Sequence, residues 1–129
     1  MPVIAGAELA AAAAYRWKCQ INENAGLPAF AGAVPEIGHN EVVGWPGARA
    51  LGRFSAVFLD DPGAHPRNVL RTELITGQAA AWADVVERVT PHGETPTERL
   101  VSLYLAVLAG TDPVDVAPID RLKTSLANR

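Results

Sequence analysis

The chain has 129 residues, a length typical of one domain, and carries a formal net charge of −3 with a pI near 5.5. Hydrophobic residues make up 49% and charged residues 19%, which predicts a packed core and argues against disorder. The acidic balance argues against a nucleic-acid-binding protein, because such a protein should carry a basic stripe. A small anionic substrate is not excluded, since it needs only two or three local cations.

The cysteine content and the apolar runs indicate where in the cell the protein is expected. Cys19 is the single cysteine, so no disulfide or cysteine-based zinc site is expected within one chain, and a reducing cytoplasm is the expected location. The first nine residues lack the basic region of a signal peptide. The apolar run Leu103 to Gly110 is too short to span a bilayer, so we expect no membrane contact.

The first predicted elements are a buried strand over Pro2 to Gly6 and a helix over Ala7 to Ala25. Glu8 lies in the first predicted turn, where the helix dipole favours a negative charge. Gly26 and Pro28 are expected to end the helix. The predicted apolar face is formed by residues spaced four apart: Leu9, Ala13, Trp17 and Ile21.

The segment Leu27 to Arg53 is predicted to be an irregular but ordered loop, because it combines three prolines and five glycines with several apolar side chains. A strand buried on both faces is predicted over Phe54 to Leu59, followed by a turn over Asp60 to Gly63. A loop of this length inside a compact domain is usually functional.

The remaining elements alternate in type. A helix is predicted from His65 to about Ala81, and Gly77 is a candidate break within it. The residues used for its helical spacing are Val69, Leu70, Glu73 and Leu74. A strand over Asp84 to Val89 and two helices, Pro96 to Ala109 and Pro118 to about Asn128, follow.

This alternation predicts an α/β fold in which helices cover both faces of a parallel sheet. Ligands in such sheets bind beyond the carboxyl ends of the strands. Gly6, Asp60 and Thr90 mark those ends in the sequence.

Two polar clusters, Asn22 to Asn24 and His39 to Glu41, stand out in an apolar chain. Glu23 lies in the last turn of a predicted helix, where its charge opposes the dipole at a cost of roughly 0.3–1 kcal/mol. A catalytic base would explain that placement, and a solvated glutamate on a fraying helix end is the alternative. His39 is either an acid–base histidine or a loop histidine bonded to the backbone.

Other candidates are weaker. Lys123 could act in a site, but a lysine in the last helix is also ordinary compensation of the dipole. The three histidines are far apart in sequence, so no metal site is expected. Asp60 and Asp61 could bind a metal or a sugar hydroxyl, although a turn is the default interpretation. Gly6 before a helix could receive a phosphate, a weak signal without further glycines.

The blocks AAYRWKCQINENAGLPAF, VPEIGHNEVVGW, FLDDPGAHPR and YLAVLAGTDPVDVAPIDRLK occur in this order. With them the chain resembles the C-terminal half of the bifunctional phosphoglucose/phosphomannose isomerase family, whose members contain two sugar isomerase (SIS) domains. The resemblance covers essentially the whole chain. It implies one SIS-type domain over residues 1–129, a three-layer αβα structure with a mostly parallel central sheet.

The resemblance also implies a reaction, the aldose–ketose isomerisation of glucose 6-phosphate and mannose 6-phosphate to fructose 6-phosphate without a cofactor. Glu23 would move a proton between C1 and C2 through a cis-enediol. His39 and Lys123 would assist ring opening and handle hydroxyl protons.

The implied partners are a second chain and a second domain. In this family the site forms at a dimer interface, and the histidine comes from the neighbouring subunit. The family's first SIS domain, which carries a serine- and threonine-rich phosphate cradle, is absent from this chain. We therefore expect a homodimer or a separate N-terminal SIS domain. The alternatives are a sugar-phosphate-binding module without turnover and a dimerisation module.

Overall fold

The computed structural model describes residues 1–61 and 63–90, and the predicted helices Pro96 to Ala109 and Pro118 to Asn128 lie outside them. The described strands are β1 Pro2–Ala7, β2 Phe30–Val34, β3 Ser55–Leu59 and β4 Val85–Val89. The α-helices are α1 Leu9–Asn24, α2 Glu41–Gly44 and α3 Pro66–Ala79. Two 3-10 helices, Glu36–Gly38 and Trp45–Ala50, flank α2.

The strands form one parallel sheet in the order β2-β1-β3-β4. Val3 pairs with Phe30 on one side of β1, and Ala5 pairs with Phe58 on the other. After β1 the chain adds β2 on one side of β1, and then crosses to the other side of β1 to add β3. The strand order therefore reverses direction between β1 and β3. The predicted α/β architecture is thereby confirmed.

The predicted first helix is confirmed, and its predicted apolar face is confirmed at Trp17 and Ile21 but wrong at Leu9. The buried residues are Ala10, Ala14, Trp17, Gln20 and Ile21, whereas Leu9 is 81% exposed. A spacing of four residues advances the helix by about 400°, so each step drifts roughly 40° from the starting face. The buried face instead follows alternating steps of three and four residues, and Leu9 falls outside it.

The prediction of an irregular loop over Leu27 to Arg53 was wrong, because the segment contains β2 and three short helices. The strand was missed because its sequence, FAGAV, lacks the large alternating side chains that indicate a strand. Packing requires the glycine of this strand. A Cβ on Gly32 would lie 2.6 Å from Cδ1 of Ile37, which is fully buried.

The third helix is confirmed, but three of the apolar residues used to predict it point to solvent. Val69, Leu70 and Leu74 are exposed, and the buried residues are Thr72, Ile75 and Ala79. The Thr72 hydroxyl donates to the carbonyl of Asn68 at 2.9 Å, which satisfies it inside the protein. Gly77 does not break the helix, since an interior glycine costs only about 1 kcal/mol relative to alanine.

Each face of the sheet has its own core. One core joins α1 to the sheet through Ala14, Trp17 and Ile21, which cluster with Ile4 and Leu59. The other lies under the short helices and α3, and its main members are Ile37, Trp45, Phe58, Ile75 and Trp82. The rings of Trp45 and Trp82 lie 4.4 Å apart at an interplanar angle of 38°. Apolar side chains therefore fix both crossing connections on the sheet.

Candidate functional site

Glu23 is an exposed residue in the last turn of α1. Its two asparagine neighbours hold that turn. The Asn22 amide donates to the carbonyl of Leu27 at 2.8 Å, and the Asn24 amide donates to the Gln20 side chain at 3.1 Å. The asparagines thus join the helix end to the following chain, and they leave the Glu23 carboxylate facing solvent.

His39 is an exposed residue that directly follows the 3-10 helix Glu36–Gly38. Its backbone N–H donates to the carbonyl of Glu36 at 2.8 Å. The Asn40 amide donates to the Glu36 carboxylate at 2.6 Å, and the burial of Ile37 anchors the turn from below. The backbone of His39 is therefore fixed, while its imidazole faces outward.

His39 borders a solvent-open cavity of about 430 Å³ between this turn and α3. The cavity is lined by Pro35, Glu36, Gly38, His39, Arg71, Leu74, Ile75 and Gln78. A Cβ on Gly38 would lie 2.5 Å from Cδ1 of Ile75, so glycine lets the turn approach α3 closely. A small polar ligand could reach His39 and Arg71 together.

Glu23 and His39 do not meet within one chain. Because α1 runs back along the sheet to begin β2 at the level of Val3, Glu23 lies at the edge where the strands start. His39 lies beyond Val34, where β2 ends. A five-residue strand spans on the order of 16 Å, which separates the two edges. Lys123 lies outside the described residues.

The two aspartates after β3 serve the structure. The Asp60 carboxylate accepts from Arg88 Nη2 at 2.6 Å and from the Thr90 hydroxyl at 3.2 Å. The Asp61 carboxylate accepts from the backbone N–H of Gly63 at 2.9 Å. Both border a second cavity of about 350 Å³ at the carboxyl ends of β1, β3 and β4. Among residues 1–61 and 63–90, no group of three potential ligands could hold a metal ion.

Glu8 has a role that the sequence did not indicate. It adopts φ 51 between β1 and α1, and it reaches away from its own helix. Its carboxylate accepts from the backbone N–H of His65 at 2.9 Å and from the Asn68 amide at 2.8 Å. The His65 bond and then the Asn68 bond lower the pKa of Glu8. Glu8 thus joins the end of β1 to the start of α3.

Arg71 was also missed, since an exposed arginine on a helix is ordinary and no motif distinguishes it. It becomes a candidate only because α3 places it on the wall of the His39 cavity.

Comparisons with known proteins agree on one family. The family model described as the bacterial phospho-glucose isomerase C-terminal SIS domain matches residues 1–126. Curated relatives are bifunctional phosphoglucose/phosphomannose isomerases from Aquifex aeolicus, 34% identical over 98% of this chain, and Caldicellulosiruptor bescii, 36% identical over 88%. The chain spans 42% and 37% of their respective lengths.

A solved structure supports the same fold. It is a glucose-6-phosphate isomerase like protein from Thermus thermophilus, with a TM-score of 0.59 at 17% identity. The match covers 89% of this chain and 41% of that one. None of the helices in the described part of the chain is long and apolar enough to cross a membrane.

Proposed function

Because the chain belongs to the family of bacterial phospho-glucose isomerase C-terminal SIS domains, we propose that it supplies acid–base residues to an aldose–ketose isomerase of hexose 6-phosphates. The substrates are glucose 6-phosphate and mannose 6-phosphate, and the shared product is fructose 6-phosphate. The names of the relatives, bifunctional phosphoglucose/phosphomannose isomerases, support this substrate class.

The reaction needs a base that moves one proton between adjacent carbons. Glu23 takes the proton from C2 of the open-chain aldose and returns it to C1 through a cis-enediol. The substrate is rearranged internally, so the reaction needs no external oxidant or reductant. His39 and Lys123 assist ring opening and handle the hydroxyl protons, as the family resemblance implies. General acid–base catalysis by each such group contributes typically 10²–10⁴-fold, and the chemistry requires no cofactor.

One observation supports a site shared between two chains: Glu23 and His39 are both exposed, yet they lie at opposite edges of one sheet. A two-fold dimer would bring the Glu23 edge of one chain against the His39 edge of the other, and would form two equivalent sites. The homodimer expected from the resemblance therefore also accounts for the separation within the monomer.

A second partner is needed for the phosphate. The segment from Leu27 to Arg53 contains no serine or threonine, so it cannot form a hydroxyl-rich cradle. We propose that a first SIS domain, like the one that the resemblance implies, supplies that cradle. The coverage of about two fifths of each relative leaves room for such a domain.

A mixing experiment tests the shared site. Glu23→Gln and His39→Gln chains are assayed for conversion of fructose 6-phosphate to glucose 6-phosphate, alone and mixed, with a first SIS domain from a curated relative supplied. Each variant alone should be inactive. In an equal mixture about half of the dimers are mixed and each holds one intact site, so about a quarter of the unmodified activity should return.

The mixture has a clear negative outcome. If both residues served one site in the same chain, mixing would restore nothing, and the shared-site proposal would be wrong. If the unmodified chain stayed inactive with the first domain present, the proposal that it is part of an isomerase would be wrong.

A non-catalytic sugar-phosphate-binding or dimerisation module is the second candidate. The exposed apolar side chains of Leu70 and Leu74 on α3 favour an interaction role. Such a module would form a dimer or bind sugar phosphates in the same preparations without any turnover.

A further inference from the structure

Arg71 and His39 come from different elements to the same cavity. His39 follows the 3-10 helix after β2, and Arg71 lies in the second turn of α3 on the opposite wall. Leu74 and Ile75 add apolar surface to the α3 wall. His39 and Arg71 therefore border one space of about 430 Å³ that is large enough for a small polar ligand.

A chain of hydrogen bonds orients Arg71. The Asn68 amide nitrogen donates to Glu8 at 2.8 Å, which fixes the direction in which the amide points. Its oxygen then accepts from Arg71 Nη1 at 2.9 Å. Because the Glu8 carboxylate is itself held by the backbone N–H of His65, the guanidinium is positioned from β1 rather than by α3 alone.

Arg71 lacks the carboxylate partner that two other arginines have. Arg53 and Arg88 form ion pairs with Asp84 and Asp60. In the part of the chain that the structure describes, Arg71 forms no ion pair, and its hydrogen-bond partner is a neutral amide. The positive charge of Arg71 is therefore available to an anion.

Among the described residues that line the cavity, the one carboxylate has another partner. Glu36 accepts from the Asn40 amide at 2.6 Å, on its own side of the cavity. This bond holds Glu36 to the His39 turn, whereas Arg71 approaches from α3. The two charges are attached to opposite walls.

We propose that Arg71 adds a cation to the phosphoryl site of a sugar phosphate in the His39 cavity, beside the hydroxyl-rich cradle of the first SIS domain. A guanidinium binds two phosphoryl oxygens through a planar pair of N–H donors. In a hexose 6-phosphate, the ring oxygen is bonded to C5 and the phosphate to the adjacent C6. An imidazole that opens the ring and a cation that holds the phosphate must therefore lie in one small space, as His39 and Arg71 do. The choice of a sugar phosphate rests on the proposed isomerase function.

Phosphate titration tests the assignment without turnover. The full chain is titrated with inorganic phosphate at constant ionic strength, and the His39 ring signals are followed by NMR. Arg71→Gln should weaken phosphate binding by about tenfold or more, the usual loss for a charge-assisted hydrogen bond. Arg67→Gln is the matched control, because it removes the same charge from the same helix outside the cavity lining. Circular dichroism checks that each variant is folded.

Two further variants distinguish the charge of Arg71 from its orientation by Asn68. Arg71→Lys keeps the charge but loses the planar fork, so its affinity should fall between those of the unmodified chain and Arg71→Gln. Asn68→Ala keeps the arginine and removes its orienting amide. It should weaken phosphate binding and leave the sensitivity to ionic strength unchanged, which a general loss of charge would not do.

The outcomes decide the proposal independently of catalysis. Equal weakening by Arg67→Gln and Arg71→Gln, or no response of His39 to phosphate, would overturn it. An isomerase that passes the mixing test while Arg71→Gln binds phosphate normally would refute this inference alone. Phosphate binding that depends on Arg71 in a chain without turnover in any assembly would support this inference and refute the proposed function.

Discussion

The two connections that cross the sheet differ in how they hold their polar cluster. The first is α1, one continuous helix whose last turn carries Glu23. The second, the crossover segment (residues 35–54), consists of short helices and carries His39 at its start. Regular hydrogen bonding stabilises the first connection, whereas the second depends on a few buried side chains, chiefly Ile37 and Trp45.

This difference shows how one βαβ topology separates two functional candidates. A residue at the end of one connection and a residue at the start of the next lie at opposite edges of a parallel sheet. Glu23 and His39 are 16 residues apart in sequence, but β2 lies between them. Closeness in sequence therefore does not give closeness in space here, and a second chain offers the simplest way to unite them.

The largest expected effect is on the crossover segment. Trp45→Ala should lower the free energy of unfolding by about 3–5 kcal/mol, because it removes a buried ring that packs against the ring of Trp82. Urea unfolding followed by circular dichroism measures the change. Leu51→Ala in the same segment is the control, and it should stay within about 0.5 kcal/mol because Leu51 is 79% exposed. A small loss in Trp45→Ala would contradict the dependence on buried side chains.

A pair of glycines compares the two connections directly. A Cβ on Gly6 would collide with the backbone carbonyl of Ala10 in α1, so Gly6→Ala should destabilise the protein by about 1–3 kcal/mol. A Cβ on Gly44 in α2 meets nothing within 4 Å, and its φ of −81° suits alanine. Gly44→Ala should therefore stabilise by about 0.4–1 kcal/mol. Thermal unfolding measures the sign of the stability change in each variant. If both variants changed stability in the same direction, the packing argument would be refuted.

The smallest expected effect concerns Glu8 and depends on pH. Because bonds from His65 and Asn68 lower the pKa of Glu8 in the folded protein, its contribution to stability is present above its unfolded pKa. That contribution is lost as the pH falls through the lowered folded pKa. Glu8→Gln should therefore be less stable than the unmodified chain at neutral pH, and the difference should shrink in acid.

Unfolding at several pH values measures this effect, with Glu73→Gln on the exposed side of α3 as the control. A difference between Glu8→Gln and the unmodified chain that persists unchanged into acid would argue against the charge of Glu8 as its source.

Much of the fold could be predicted from local patterns. The alanine-rich stretch predicted α1 because alanine has the highest helix propensity, and the apolar run FSAVFL predicted β3. The strand β2 could not be predicted, since Gly32 within it is explained only by the close approach of Ile37. The buried side of α3 could not be predicted either. Thr72 is buried because the backbone accepts its hydroxyl proton, while Leu74 faces solvent.

For the candidate site too, some features could be predicted from the sequence and others could not. The α/β class, the family resemblance and the choice of Glu23 and His39 all followed from the amino-acid sequence, because residue types and their order along the chain carry that information. The positions of Glu23 and His39 at opposite edges, and of Arg71 beside the His39 cavity, became known from the folded chain alone. Such placements depend on strand order and helix rotation, which long-range packing sets and local sequence does not.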